Sequence, residues 1–331
     1  MPEKRSQKKP KRKCALLVDA TNTFMRGYAS NPSISDGVHV GGVLTFIFSL
    51  RNFIVKTLHT DSVVCVWDGV GGSIRRRSLY KEYKNGRRPK KKNRFHEHGQ
   101  VSNSAEQQLM CINMMDCLPV RQLSVPGCEA DDVIAFLTNK YVNDGWNVVI
   151  MSTDKDYYQL VSPHVVIFNA VLKKFIRQQD IITERGIHPR NWVIARAVDG
   201  DPSDNIKGVD GVGLKTLLKY FPYLSEERAI PLYELLSDIE KIEKPTKTIL
   251  KISDGCDIIE RNIKLMSLNA EYLTYQQKEE IVHCMNQPLA LERNAFTGLV
   301  LKHKLTMHAN NFFNSFVYLR IAQDHHKGIN G

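Results

Sequence analysis

Four short apolar runs, each ending in or just before an acidic residue, constrain the fold of this 331-residue chain most strongly. They cover residues 14–18, 62–67, 120–125 and 147–151, and the acids that follow are Asp19, Asp68, Glu129 and Asp154. The runs have the length and β-branched content of strands, whereas apolar faces at helical spacing lie between them at 43–54 and 130–141. This alternation predicts an α/β fold with a mostly parallel central sheet flanked by helices. Ligands bind such sheets beyond the carboxyl ends of the strands, where these acids fall.

One long segment, residues 69–104, interrupts this alternation because it is nearly all polar and basic. Gly86 and Pro89 break it, and long loops in compact domains are usually functional or disordered. We expect an excursion from the sheet that is helical in part and mobile without its ligand. Residues 1–13 are expected to form a disordered basic tail. Helical patterns recur at 258–268 and 312–321, and 324–331 is expected to be a frayed end.

The distribution of charge favours a polyanionic partner. The formal net charge is +11, with seven Lys or Arg in residues 4–13 and eleven in residues 75–94 against one acid, Glu82. Net charge alone would equally fit an ordinary basic cytosolic enzyme, so the clustering carries the inference.

The cysteines and the hydropathy exclude several classes of protein. Seven cysteines form no CxxC and no Cys/His ligand spacing, which indicates reduced thiols in a reducing compartment and makes a zinc site unexpected. No apolar run approaches the roughly 18 residues of a membrane span, and the N-terminus lacks the apolar stretch of a signal peptide. A cytoplasmic protein is therefore expected.

Acidic residues from five separated segments are candidate metal ligands. Taken singly, each has a simpler explanation, as a first-turn helix acid, a helix cap, a loop acid or a solvated strand end. Together they would meet at one edge of the sheet, where like charges repel unless cations neutralise them. Their oxygen ligands suit Mg²⁺ or Mn²⁺, and a pair of such ions can drive hydrolysis at phosphorus. The nine acids are Asp19, Asp68, Glu129, Asp131, Asp132, Asp154, Asp156, Asp201 and Asp204.

The basic excursion provides candidates for contact with a nucleic acid. Four side chains recur at every fourth position: Arg76, Tyr80, Lys84 and Arg88. A helix would place them on one face. Lys84 and Arg87 could then offset charge at a scissile phosphate, and Tyr80 and Tyr83 could stack on an unpaired base. The alternative is a solvated basic loop that only raises affinity, the better reading of residues 90–92.

Residues 206–216, IKGVDGVGLKT, are typical of the turn of a helix-hairpin-helix. Its glycines permit positive φ and close approach to a backbone, and a helix beginning near Leu214 would point its amides at a phosphate. Neighbouring lysines would add contacts to the DNA backbone that are independent of sequence. The residues concerned are Gly208, Gly211, Gly213, Lys207, Lys215 and Lys219. A nucleotide-binding loop is the competing interpretation, but no strand is predicted before Gly208 and no P-loop occurs.

These motifs, in this order, resemble the structure-specific 5′-nucleases: the flap endonucleases, the phage 5′-exonuclease/ribonuclease H enzymes and the 5′-nuclease domain of bacterial DNA polymerase I. The resemblance rests on Asp19, Asp68, YKEYKNGR (80–87), GCEADD (127–132), STDKD (152–156) and GDPSDNIKGVDGVG (200–213). It covers residues 14–220 and continues faintly through RNIKLM (261–266). The family implies a PIN-like nuclease core with a basic helical arch.

The resemblance also implies roles for individual residues. Asp19, Asp68, Glu129 and Asp131 would surround one metal ion. Asp154, Asp156 and Asp201 would hold a second, with Asp131 between the two ions and Asp132 and Asp204 close by. Lys84 and Arg87 match the catalytic basic pair of the arch, and Arg76 matches an arginine upstream of it. Residues 208–216 match the duplex-binding hairpin, whose turn often carries a K⁺ ion.

The sequence therefore predicts a Mg²⁺-dependent 5′→3′ exonuclease and flap endonuclease in which Mn²⁺ substitutes for Mg²⁺. Expected partners are DNA with a 5′ flap, a nick or a single-stranded 5′ end, and RNA–DNA hybrids through ribonuclease H activity. A monomer in a bacterial or phage-infected cell is expected. Divisions are predicted at 14–199 (core, with an arch at about 70–104), 200–275 (hairpin region) and 276–331 (helical extension). Two alternatives stay open: a toxin-type ribonuclease with a similar acidic edge, and a non-catalytic nucleic-acid-binding protein.

Overall fold

The computed structural model of the protein describes residues 12–56, 60–86 and 102–327. Its strands are β1 (Cys14–Asp19), β2 (Ile34–Ser35), β3 (Val38–His39), β4 (Ser62–Trp67), β5 (Arg121–Ser124), β6 (Asn147–Met151), β7 (Val165–Asn169), β8 (Lys174–Ile176), β9 (Gly200–Asp201) and β10 (Ile206–Lys207). Its helices are α1 (Ala20–Ser30), α2 (Gly41–Lys56), α3 (Ile74–Leu79), α4 (Ser104–Asp116), α5 (Ala130–Asn143), α6 (Gln178–Arg185), α7 (Trp192–Asp199), α8 (Leu214–Tyr220), α9 (Leu232–Glu240), α10 (Lys247–Asp254), α11 (Cys256–Met266), α12 (Tyr275–Asn286), α13 (Arg293–Lys302) and α14 (Ala309–Lys327).

The central sheet has the order β5-β4-β1-β6-β7-β8. All neighbouring strands are parallel except β7 and β8, so the predicted mostly parallel sheet is confirmed. The runs at 62–67 and 147–151 are strands with the predicted bounds, β1 extends one residue further to Asp19, and β5 is shorter than its run. Strands β7 and β8 were not predicted from the sequence.

The sheet is covered on both faces because successive side chains of its strands point to opposite sides. In β1, Ala15 and Leu17 pack into one apolar cluster, whereas Leu16 and Val18 pack into the other. The first cluster includes residues of α5, α7 and α8, and the second includes residues of α1, α2 and α4. The predicted layers of helices on both faces are therefore confirmed.

The last two helices, α13 and α14, belong to the second of these clusters. Phe296 of α13 and Phe312 and Phe316 of α14 are buried in the same cluster as Leu16 of β1. Phe296 and Phe312 stack with ring centroids 5.3 Å apart. Residues beyond the predicted division at 275/276 thus contribute to the same core as the strands. The frayed end predicted at 324–331 is wrong for residues 324–327, which continue α14.

The carboxyl ends of four adjacent parallel strands meet at one edge of the sheet. Asp19 ends β1 and lies in register with Val66 of β4, and Val18 lies in register with Met151 of β6. Asp68 follows β4 directly, and Asp154 follows β6 by three residues. Strand order therefore places these acids together, as the sequence predicted. We call this the carboxylate edge.

The basic excursion departs from its prediction. Helix α3 ends at Leu79, and residues 81–86 form turns in which Lys84 has a φ of 54°. A helix carrying Arg76, Tyr80 and Lys84 on one face is therefore wrong. The segment is also packed against the core, since Arg76 and Tyr83 are buried. Arg87, Arg88 and residues 90–94, like the tail over 1–11, lie outside the described residues.

The packing of α14 predicts a large difference between two aromatic substitutions two residues apart. Phe316→Ala removes a fully buried ring and should lower the free energy of unfolding by about 3–5 kcal/mol. Tyr318→Ala, at a side chain that is 79% exposed, should change it by no more than about 0.5 kcal/mol. Urea unfolding followed by far-UV circular dichroism measures both. Equal effects would show that α14 is not part of the core.

Candidate metal centre and nucleic-acid interface

Asp19 lies at the centre of the carboxylate edge, at the junction of β1 and α1. Its Oδ1 accepts a hydrogen bond from the backbone N–H of Asn22 (3.0 Å), which caps α1. Its Oδ2 accepts from Ser152 Oγ (3.0 Å) and from the hydroxyl of Tyr157 (3.2 Å). Burial, reinforced by the charges of Asp68 and Asp154, raises the pKa of Asp19 to about 7. The carboxylate is thus held in position by hydrogen bonds, and no Lys or Arg in the described part of the chain forms an ion pair with it.

Asp68 links the end of β4 to the start of α5. Its Oδ1 accepts from the backbone N–H of Ala130 (2.9 Å), in the first turn of α5, and its own N–H donates to Thr21 Oγ1 (2.9 Å). The residue is otherwise exposed. One carboxylate oxygen therefore orients Asp68, while the side chain still faces the edge.

Asp154, Asp156 and Asp201 form the second part of the edge. Asp154 Oδ1 accepts from the N–H of Asp156 (3.0 Å), and Asp201 Oδ2 lies 2.9 Å from Arg196 Nη2. Burial and the neighbouring Asp154 and Asp201 raise the pKa of Asp156 to about 8, although Arg196 acts in the opposite direction. A negative charge on Asp156 is therefore destabilised, and a bound cation would relieve the repulsion.

The third group of acids is paired with a cation, because Arg76 is buried against it. Arg76 Nη1 lies 2.6 Å from Glu129 Oε2 and 2.9 Å from Asp132 Oδ2. Arg76 Nη2 lies 3.2 Å from Asp131 Oδ2 and 3.0 Å from Asp132 Oδ1. Its Nε donates to the backbone carbonyl of Leu265 (2.9 Å). Burial alone would lower the pKa of Arg76, but the three carboxylates raise it well above its ordinary value. Arg76 therefore stays charged and fixes all three acids.

Glu129 receives two further donors from the basic segment. Lys84 Nζ donates to Oε1 (2.6 Å) and the Tyr83 hydroxyl donates to Oε2 (2.8 Å). Burial opposes ionisation of Glu129, but Arg76 and Lys84 outweigh it, and its pKa lies below the ordinary value. Lys84 is also fixed to the other side of the edge, because its backbone N–H donates to the carbonyl of Asp204 (2.8 Å) and its Nζ is 4.0 Å from Asp204 Oδ2.

The donor set suits a hard divalent cation in chemistry, although the acids are not gathered around a single point. Among residues 12–56, 60–86 and 102–327, no three Asp, Glu, His or Cys side chains are arranged to hold one metal ion together. The uncompensated carboxylates of Asp19 and Asp156 fit Mg²⁺ or Mn²⁺. Glu129 and Asp131 fit such an ion once Arg76 and Lys84 release them. The metal-ligand assignments therefore stay predictions.

The glycine-rich turn lies between α7 and α8, which pack against each other. Gly208 cannot carry a side chain, because a Cβ there would collide with the Val198 carbonyl, and Gly211 has a φ of +74°. Lys207, Lys215 and Lys219 are exposed. The arrangement matches the predicted hairpin, but the premise that no strand precedes Gly208 is wrong. The two-residue strand β10 precedes it, paired antiparallel with β9. The K⁺ ion expected at the turn stays a prediction, as does a phosphate contact of Gly213.

The two tyrosines of the basic segment are placed differently from expectation. The Tyr83 ring is 3% exposed, so it offers no face to an unpaired base in this structure. Tyr80 is half-buried, and the guanidinium of Arg261 lies 4.2 Å from its ring centroid. Base stacking at Tyr83 is therefore wrong for this conformation, and Tyr83 instead positions Glu129.

Several residues that position the site were not predicted. Ser152 and Tyr157 flank the acids of the STDKD motif, so their nearness to that motif was an available signal. Asn262 is fully buried in α11, and a polar residue on the apolar face of a predicted helix is a signal of the same kind. Arg196 gave no sequence signal, since its role depends on the meeting of α7 with β9.

In the described part of the chain, no helix is both long enough and apolar enough to cross a bilayer. All seven cysteines are free thiols.

Comparison with known proteins agrees with this geometry. The model of the family described as 5′-3′ exonuclease, N-terminal resolvase-like domain, matches residues 14–189, and the chain belongs to that family. It is 31% identical over 260 residues to a thermostable DNA polymerase I of Thermus thermophilus, covering 77% of this chain and 29% of that protein. It is 28% identical over 260 residues to the flap endonuclease Xni of Shewanella woodyi, covering 77% and 93%. The chain thus spans less than a third of its polymerase relatives.

Among solved structures, the fold is similar to that of the bacteriophage T5 D15 flap endonuclease in a pseudo-enzyme-product complex with DNA and metal ions. The TM-score is 0.58 at 19% identity, covering 88% of this chain and 100% of the phage chain. At this identity the likeness shows a shared fold, the PIN-like 5′-nuclease fold that the sequence predicted.

The burial of Arg76 predicts that its removal is far more destabilising than removal of its neighbour. Arg76→Ala leaves three buried or half-buried carboxylates without their cation and should cost about 3–5 kcal/mol of unfolding free energy. Arg77→Ala, at an exposed arginine of the same helix, should cost no more than about 0.5 kcal/mol. Unfolding in urea with EDTA present measures both. Similar small losses would contradict the assignment of Arg76 as the cation that holds this group.

Proposed function

We propose that this protein is a divalent-metal-dependent 5′→3′ exonuclease and flap endonuclease that hydrolyses phosphodiester bonds at 5′ ends and 5′ flaps of branched DNA. One observation carries the proposal: a carboxylate edge lies directly against a basic segment and next to a glycine hairpin. Lys84 joins the two parts, with its ammonium 2.6 Å from Glu129 and its backbone N–H bonded to Asp204. Acids, a cation and a backbone-binding turn are the components that phosphodiester hydrolysis on a duplex requires.

The carboxylate edge is proposed to hold two Mg²⁺ ions, for which Mn²⁺ substitutes. Asp19, Asp68, Glu129 and Asp131 would hold the first. Asp154, Asp156 and Asp201 would hold the second, with Asp131 shared and Asp132 and Asp204 close by. Bound there, the ions would supply an activated water and stabilise the leaving oxygen. The raised pKa values of Asp19 and Asp156 support this assignment, because carboxylates that repel one another are stabilised by a bound cation.

The protein's own side chains would position the substrate. Lys84 is 20% exposed and can turn its ammonium from Glu129 to a phosphate oxygen, where it would offset charge in the transition state. Arg87 would act beside it. The exposed Lys207, Lys215 and Lys219 would hold the duplex backbone without reading its bases. Contacts of this kind are compatible with an RNA strand paired to DNA, which we include as a second substrate.

The flap polarity is supported by the family and by the names of the relatives, which include 5′-3′ exonucleases and a flap endonuclease. A denaturing gel of a 5′-labelled flap duplex, with Mg²⁺ and with EDTA, tests the proposal. Release of a short labelled fragment should require Mg²⁺, and a matched 3′ flap should stay intact. Binding without cleavage in either Mg²⁺ or Mn²⁺ would favour the non-catalytic alternative. Cleavage of RNA with indifference to duplex DNA would favour the ribonuclease alternative.

The metal assignment predicts that Asp68→Ala abolishes cleavage while duplex binding is kept. The variant loses an orienting ligand whose metal contributes several kcal/mol in the transition state, so the single-turnover rate should fall on the order of 10³-fold or more. Asp144→Ala, which removes an exposed carboxylate at the far end of α5, is the charge-matched control. Near wild-type cleavage by the Asp68 variant, with its fold intact by thermal unfolding, would refute the assignment.

A role of Lys84 in the transition state can be distinguished from a role in binding the substrate. Lys84→Ala should lower the single-turnover rate at saturating flap by about 10²–10³-fold, the loss expected for one transition-state donor. Lys81→Ala, at an exposed lysine of the same segment, should leave that rate nearly unchanged. A weaker dissociation constant with an unchanged saturating rate would make Lys84 a substrate-positioning residue instead.

A further inference from the structure

Helix α11 connects the glycine hairpin to the carboxylate edge through two adjacent polar residues. Asn262 is fully buried, and its Nδ2 donates to the carbonyls of Ala197 (2.8 Å) and Lys207 (2.9 Å). Arg261 Nη2 donates to Asn262 Oδ1 (2.9 Å) and to the same Lys207 carbonyl (3.2 Å). Lys207 directly precedes the turn at Gly208, so Arg261 and Asn262 are both hydrogen-bonded to the backbone just before the hairpin turn.

The other contacts of this helix reach Arg76. The Leu265 carbonyl, one helical turn beyond Asn262, accepts from Arg76 Nε (2.9 Å). Arg261 also stacks over the Tyr80 ring, with Cζ 4.2 Å from the centroid, and the Tyr80 N–H donates to the Arg76 carbonyl (2.9 Å). The side chain of Arg76 is therefore connected to α11 through Leu265, and its backbone is connected to α11 through Tyr80 and Arg261. Both connections lead through α11 to the Lys207 carbonyl at the hairpin.

Arg76 occupies oxygens that the proposed function assigns to metal ions. It is hydrogen-bonded to Glu129, Asp131 and Asp132 at 2.6–3.3 Å. The guanidinium takes up lone pairs of these carboxylates and offsets their negative charge, so it lowers their affinity for a divalent cation. The position of Arg76 thus sets how readily Glu129 and Asp131 can accept a metal.

We propose that Arg261 and Asn262 are positioning residues that couple duplex binding at the hairpin to metal binding at the carboxylate edge. A DNA backbone that contacts the hairpin shifts the Lys207 carbonyl, α11 follows through Asn262 and Arg261, and Arg76 is drawn from Glu129 and Asp131. Free protein then holds the edge in a state of low metal affinity, and duplex DNA converts it to one of high affinity. This inference rests on the proposed function and adds a control of the same site.

Thermodynamic linkage makes the coupling measurable, because a duplex that raises metal affinity must itself bind more tightly when metal is present. The probe is Mn²⁺, with free Mn²⁺ followed by electron paramagnetic resonance. The DNA is a closed dumbbell duplex, which offers no 5′ end to cleave. In the wild type, saturating dumbbell should tighten Mn²⁺ binding by about 5–150-fold, the usual range of allosteric coupling.

The variants are Arg261→Ala and Asn262→Ala, and the charge-matched control is Lys264→Ala, at an exposed lysine of the same helix. In both variants the tightening factor should fall to about 1, whereas Lys264→Ala should keep the wild-type factor. Dumbbell affinity measured in EDTA should stay within about twofold of wild type, because neither side chain is proposed to touch DNA. Arg261 is half-buried, so Arg261→Ala is expected to fold. If Asn262→Ala does not fold, the tightening factor of Arg261→Ala tests the coupling.

A second readout needs no metal. Hydrogen exchange of residues 74–86 in EDTA should change when the dumbbell binds to wild type or Lys264→Ala, and should change clearly less in the Arg261 variant, where only direct contact of DNA with the segment is left. Three results would overturn the coupling: no tightening of Mn²⁺ binding in the wild type, a tightening that survives in the folded variants, or variants that lose metal-free dumbbell binding itself. If the wild type cleaves 5′ flaps and any of these three results is obtained, the proposed function stands and only the coupling is refuted.

Discussion

The Arg76 guanidinium, buried against three carboxylates, is the interaction on which the rest of the site depends. Glu129, Asp131 and Asp132 lie within two turns of the start of α5, and a group of like charges there would repel strongly without a cation. Arg76 supplies that cation from a different segment, and its remaining N–H is bonded to the end of α11. One side chain thereby fixes three acids, the basic segment and a helix of the hairpin region relative to each other. A buried group of this kind costs desolvation when it forms, whereas removal of its cation would leave the buried carboxylates unpaired.

The fold could be predicted from the sequence to the extent that burial is regular along it. Strands buried on both faces are continuous apolar runs, and the acids after them mark where each run leaves the core, so β1, β4 and β6 were recognisable. Strand β8 was less so, since Lys174 is exposed, and the helical pattern at 312–321 marked α14 without showing where it packs. Their place is set by tertiary packing, as in the packing of α14 against α2 and α13, which local periodicity does not encode.

The candidate site shows the same division. Four of the nine acids followed from their place after predicted strands and the other five from the acidic phrases that contain them, and the structure places Asp19, Asp68 and Asp154 at one edge. The sequence could not predict which side chain each acid contacts. Helical spacing suggested that Tyr83 and Lys84 face solvent and DNA, but the chain turns at Lys84 with positive φ and directs both inward to Glu129. Such a turn depends on ion pairs formed across 45 residues of sequence, and those pairs exist only in the folded protein.

We propose that the carboxylate edge has two unequal halves, one that binds metal ions through Asp19 and Asp156 and one that is held by Arg76. Crystals of the protein bound to a flap duplex and soaked in Mn²⁺ would test this most directly, through the anomalous scattering of manganese. The account predicts peaks between Asp19, Asp68, Glu129 and Asp131 and between Asp154, Asp156 and Asp201, with Arg76 displaced from Glu129. Manganese absent from this edge, in crystals where DNA is bound, would contradict it.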